Sequence, residues 1–197
     1  MIEASKLFIK IFLSIFIIFS VNAKEEKLSI GSSEAKIVIK VFSSLTCPHC
    51  ASFHKNVFEK LKKEYIDTNI VRFEHHGFPL DLAALNAEII VRCQINKYKS
   101  FQLLGEIYNK QNQWAVGSDI NPINDSIKKI GLNFGLENEE MDKCLKNEIV
   151  QDQILNERIE AQKKYNIQST PTIYLNEKKY QGNHEYKTLK KALEKLL

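Results

Sequence analysis

Outside Cys47-Pro48-His49-Cys50 the chain has no second C-x-x-C, and no H-x₃₋₅-H pair follows that motif. The ligand sets of structural zinc sites are therefore missing. Ala51, not histidine, follows Cys50, which excludes c-type haem attachment. A purely structural bridge fits poorly too, because a disulfide closing so small a loop constrains the unfolded chain little. Repeats and low-complexity segments are absent. The basic excess is slight, a formal net charge of +4, whereas a nucleic-acid protein concentrates basic residues on one face. Beyond the N-terminus no run is apolar enough to span a bilayer. At the N-terminus, Lys6 and Lys10 precede the apolar residues 11–19, short of the about 20 residues that a span needs. Val21-Asn22-Ala23 then gives a small-residue ending before Lys24-Glu25-Glu26. This layout reads residues 1–23 as a signal peptide, with an uncleaved anchor as the competing reading. Its removal takes two lysines and one glutamate and leaves a net charge of +3.

The chain is 44% hydrophobic and 26% charged, the balance of a soluble globular protein, and 197 residues allow one sizeable core. Residues 37–42 are an apolar run and read as a buried strand. After Cys50, Phe53, Val57, Leu61 and Tyr65 recur at helical spacing, predicting a helix over 48–64. Cys47 thus falls at a helix N-terminus, where unpaired N–H groups and the helix dipole favour a thiolate. Pro48 suits the first turn, and His49 adds a side chain that can carry positive charge. Cys50 lies one turn in, placed to close a disulfide on Cys47. Stabilising the Cys47 thiolate stabilises the reduced pair, which makes the disulfide an oxidant. Lys40 is unusual inside a buried run. It either snorkels past a neighbour or handles protons near the thiols.

A second strand is expected over 69–74, ended by His75 and His76, whose opposite directions argue against a shared metal. From Asp81 to about Lys164 only helix-period segments occur: one capped by Asp81 and carrying Leu82, Leu85, Ile89 and Cys93, then segments around residues 101–108, 122–131, 138–145 and 149–165. Thr170-Pro171-Thr172 precedes a strand at 173–175, a turn at 176–178, a strand at 179–182, and a last helix presenting Tyr186, Leu189, Leu193 and Leu196.

That order resembles the thioredoxin fold with a helical insertion. More closely, residues 42–50 ending in Cys-Pro-His-Cys, Gly77-Phe78-Pro79-Leu80-Asp81 and Ser169-Thr170-Pro171-Thr172 resemble the DsbA family of bacterial exported thiol:disulfide oxidoreductases, in its alphaproteobacterial branch. The resemblance implies an α/β class with residues 24–80 and 165–197 as the thioredoxin-like domain and 81–164 as the insertion. It implies Cys47, Pro48, His49 and Cys50 as the redox site, a cis bond before Pro171, and Thr170 with Pro171 as the edge that pairs with extended substrate. It further implies a periplasmic monomer acting on reduced exported proteins, reoxidised by a DsbB-type quinone-linked membrane protein, with no metal or organic cofactor. Val41 departs from the pattern, since family members often carry an acidic residue there. Cys93 and Cys144, 51 positions apart, are either a structural disulfide, which the alphaproteobacterial branch favours, or two buried thiols. The competing activities are a disulfide isomerase or reductase of the same fold and a copper(I)-carrying metallochaperone.

Overall fold

The computed structural model describes residues 27–197, so the expected signal peptide at 1–23 lies outside the described residues. Five strands form one mixed sheet: β1 (Ser29–Ile30), β2 (Ile37–Ser43), β3 (Val71–Gly77), β4 (Thr172–Leu175) and β5 (Lys178–Lys179), in the order β1-β3-β2-β4-β5. β2 runs parallel to β3 and antiparallel to β4, so the strand that leads into Cys47 is central. Alternation along β2 splits the core. Ile37, Ile39 and Val41 pack with Phe53, Val57 and Leu61, while Phe42 faces Phe78, Ile167 and Tyr174.

The helical run after Cys47 is α1 (Pro48–Phe53), a π-helical segment His54–Phe58, α2 (Glu59–Leu61) and a second π segment Lys62–Ile66. Phe53, Val57, Leu61 and Tyr65 are spaced by four each time, which drifts about 40° per step in a regular α-helix. The wider π turns absorb that drift, and all four side chains stay buried. Asn69, with φ 61°, ends this run and is not part of a strand. β3 therefore begins at Val71, two residues later than expected, and it includes His75 and His76 in register with Val41 and Phe42.

From residue 82 to residue 165 the chain is helical only: α3 (Leu82–Cys93), α4 (Lys97–Asn109), α5 (Gln111–Trp114), α6 (Ile120–Leu132), α7 (Asn138–Leu145) and α8 (Glu148–Tyr165). Asp81 caps α3 by accepting from Ala84 N at 2.8 Å. Leu82, expected on the apolar face, is the first residue of α3 and is 55% exposed. Glu137 caps α7 through a capping box with Glu140. Asn176 accepts from Val38 N and donates to Val38 O, which tightens the turn after β4. β5 is two residues long and starts inside the expected turn. The last helix, α9 (Tyr186–Glu194), buries Leu189 and Leu193 but stops before Leu196, which is exposed.

Candidate active site

Cys47 is the N-cap of α1, with extended φ and ψ, and Pro48 occupies the first turn as expected. The turn is closed by Cys47 N donating to Ser44 O and by Cys50 N and Ala51 N donating to Cys47 O. Cys47 keeps 8% exposure and Cys50 1%. The environment splits the two thiols. A hydrogen bond from the Cys50 thiol, together with the Thr170 side chain and the N–H groups of Cys50 and His49, outweighs burial and holds Cys47 down at about 5. Burial, and after it the neighbouring Cys47, push Cys50 far above the ordinary thiol range. His49 supplies its backbone N–H to the sulfur, while its side chain is exposed.

The Thr170–Pro171 peptide bond is cis. It sets the Thr170 carbonyl oxygen 3.3 Å from Cys47 Sγ, which donates to it as a thiol. His49, Phe53, Thr170, Pro171 and His184 line a groove of about 530 Å³ beside this contact. Burial and the charge of His49 lower the His184 pKa, so this wall of the groove resists protonation.

The insertion also holds the loop that carries Cys47. Gln111 Nε2 donates to Leu45 O at 2.7 Å and to Cys47 O at 3.1 Å. Thr46 Oγ1 donates to Asp81 Oδ2 at 2.7 Å, tying the loop to the cap of α3. Neither contact is legible in the sequence, because Gln111 lies 64 positions from Cys47. The sequence did mark Asp81 as a cap, but not its second partner. The Lys40 ammonium pairs with Glu177, in the turn after β4, and lies over the Tyr165 ring. His75 and His76 point to opposite faces, His75 to Glu88 and His76 to Glu74 and the Phe42 ring. Cys93 and Cys144 form a disulfide joining the end of α3 to α7, with Cα atoms 6.1 Å apart.

Comparison with known proteins agrees with this geometry. The thioredoxin family model matches residues 23–195. A Rickettsia bellii protein, named provisionally as a protein-disulfide oxidoreductase, is 31% identical over 77% of this chain, which spans 58% of that relative's length. Disulfide bond formation protein D of Bacillus subtilis is 28% identical over 85% of this chain and 76% of its own. The crystal structure of Wolbachia pipientis alpha-DsbA1 superposes with a TM-score of 0.80 at 27% identity, covering 87% of this chain and 91% of that one. The chain belongs to the thioredoxin family, and within it the chain is DsbA-like.

Proposed function

We propose that the protein is an exported thiol:disulfide oxidoreductase that donates the Cys47–Cys50 disulfide to reduced polypeptides. A substrate thiolate attacks Cys47 Sγ, and the Cys47–Cys50 bond breaks. Cys50 leaves with the electron pair and takes up a proton. The second substrate thiolate then attacks the substrate sulfur of the mixed disulfide, and Cys47 leaves as a thiolate. The substrate has lost two electrons and gained a disulfide, and the pair has become a thiolate and a thiol. Cys47 suits the role of leaving group because a thiol of low pKa leaves faster.

The observation that carries this reading is the split between a Cys47 held at about 5 and a Cys50 buried and held protonated. The Thr170 carbonyl beside the sulfur supports strand-like docking of an extended substrate in the adjoining groove. The reduced pair then needs a reoxidant, for which a DsbB-type quinone-linked membrane protein is the proposal. No helix among the described residues is long and apolar enough to cross a membrane. Export rests on the reading of residues 1–23 as a signal peptide. The test is the reduction potential of the pair in glutathione buffers. A value well above that of thioredoxin, about −270 mV, is expected. A thioredoxin-like value would move the assignment to a reductase or isomerase.

A further inference from the structure

The hairpin that carries Pro171 also builds a second wall of the groove beside Cys47. Tyr180 N donates to Ile173 O at 2.9 Å, which fixes the chain after β5 against β4. Residues 182–185 then lead to α9, and all four line the groove together with Thr170 and Pro171. This loop is tied at both ends. The Tyr180 hydroxyl donates to Asn183 O at 3.0 Å. Thr188 Oγ1, in the first turn of α9, lies 2.9 Å from both Asn183 O and Glu185 O and shares its proton between them. Gly182 lets the Tyr180 ring reach the loop, since a Cβ there would lie 2.5 Å from the ring carbon that bears the hydroxyl.

The charge on this wall is one-sided. Of the residues lining the groove, Glu185 is the only Asp, Glu, Lys or Arg. It is the N-cap of α9, yet its side chain makes no cap bond, and it is exposed. Holding the start of the helix is therefore not the role of this carboxylate. His184, beside it, sets its ring edge-on to Phe53 with 6.4 Å between centroids. Partial burial first, and His49 second, keep His184 uncharged near neutral pH. Lys187, the next charged residue along the chain, is exposed and does not line the groove.

We propose that the 182–185 loop is the substrate-selecting wall of the groove: held by Tyr180 and Thr188, it sets Glu185 against the residues that flank the substrate cysteine and favours basic flanks over acidic ones. The inference rests on the thiol–disulfide exchange proposed above and adds a substrate class to it, reduced polypeptides with lysine or arginine beside the reacting cysteine. A substrate joined to Cys47 and extended along Thr170 carries its neighbouring side chains into the groove. There a basic flank is attracted to Glu185 and an acidic one repelled. The effect is local, because exposed charges are largely screened beyond about 8 Å at physiological ionic strength. It acts on binding and not on the sulfurs, since none of the principal groups acting on Cys47 or Cys50 lies in the loop.

The test uses two dithiol peptides of equal length, one with lysines and one with glutamates beside its cysteines, each oxidised by the disulfide form of the protein in single turnover. The readout is the ratio of their second-order rate constants. Differences in thiol pKa between the peptides are common to every protein variant, so they cancel when ratios are compared. Glu185→Gln is expected to cut the lysine-to-glutamate ratio at least about three-fold, the size of an exposed charge pair, and about 1 M salt should shrink that difference from the wild type. Tyr180→Phe and Thr188→Val should also cut the ratio by freeing the loop, while Thr188→Ser, which keeps the hydroxyl, retains it. Glu194→Gln, at the other end of α9 and about 13 Å along the helix, controls for the field of the whole molecule. A ratio that Glu185→Gln leaves unchanged, or that Glu194→Gln lowers as much, overturns the selecting wall. A wild-type ratio in both Tyr180→Phe and Thr188→Val overturns the hold on the loop. A wild type that oxidises neither peptide would instead overturn the exchange reading on which the wall depends.

Discussion

Cys47 and Cys50 share one turn of helix, yet their surroundings act on them in opposite directions. Cys47 is the N-cap, so it accepts from N–H groups that no helical carbonyl can reach. Cys50, one turn in, is 1% exposed and faces the buried side. The largest cause of the low Cys47 pKa is the Cys50 thiol itself, ahead of the Thr170 side chain and the backbone. Two outcomes follow from that ranking. Ultraviolet thiolate absorbance of the reduced protein should rise around a midpoint of about 5. Cys50→Ala, which removes the strongest donor, should raise the Cys47 midpoint, and Cys50→Ser, which keeps a donor, should raise it less. An unchanged midpoint in Cys50→Ala would assign the depression to the Thr170 side chain and the backbone N–H groups of the helix terminus.

Among the elements, α3 does the most to join the site to the rest of the molecule. Its cap, Asp81, holds Thr46. Its middle carries Glu88 and its last turn Arg92. Its last residue, Cys93, is bridged to Cys144 of α7. The bridge closes a loop of 51 residues, worth up to about 4 kcal/mol in the chain-entropy model. Cys93→Ala with Cys144→Ala should therefore lower the denaturation midpoint and leave the Cys47 titration in place, because neither residue touches the Cys47 turn. A shifted Cys47 midpoint would instead mean that α3 transmits the loss. Much of this arrangement was legible beforehand. The sequence marks five of the six helices of the insertion, all but the short α5, and Asp81 announces its own cap. What was not legible depends on distant partners. Glu88 sits among Ala84, Leu85, Ala87, Ile89 and Ile90, where a charge surrounded by apolar neighbours was the available clue to burial. Its partners His75 and Glu157 come from other elements. The start of β5 differs from the local pattern because the Asn176 side chain, bonded to Val38, fixes the turn before it.

For the whole molecule, the redox state of one pair must feed back on stability. Two contributions oppose each other near neutral pH. The disulfide closes a short loop, which favours the oxidised form by roughly 2 kcal/mol. The depressed Cys47 pKa favours the reduced form, because the folded state holds a thiolate that the unfolded chain holds as a thiol. The sign of the difference is therefore a contest, but its pH dependence is not. A group whose pKa is lowered by folding contributes fully above its unfolded value, here 9.0, and loses that contribution as pH falls through about 5. The other titrating groups are common to both forms and largely cancel in the difference, including Glu88, which burial raises but His75 and Arg92 hold well below the ordinary carboxylate range. Between pH 9.0 and about 5, the reduced form should therefore lose stability relative to the oxidised form on acidification, by at most about 1.4 kcal/mol per pH unit. Denaturant unfolding of both forms across that range measures it. A flat difference would mean that Cys47 titrates in the folded protein as it does in the unfolded chain. The thiolate would then contribute nothing to the oxidising power of the pair, and a high reduction potential would have to come from strain in the oxidised form.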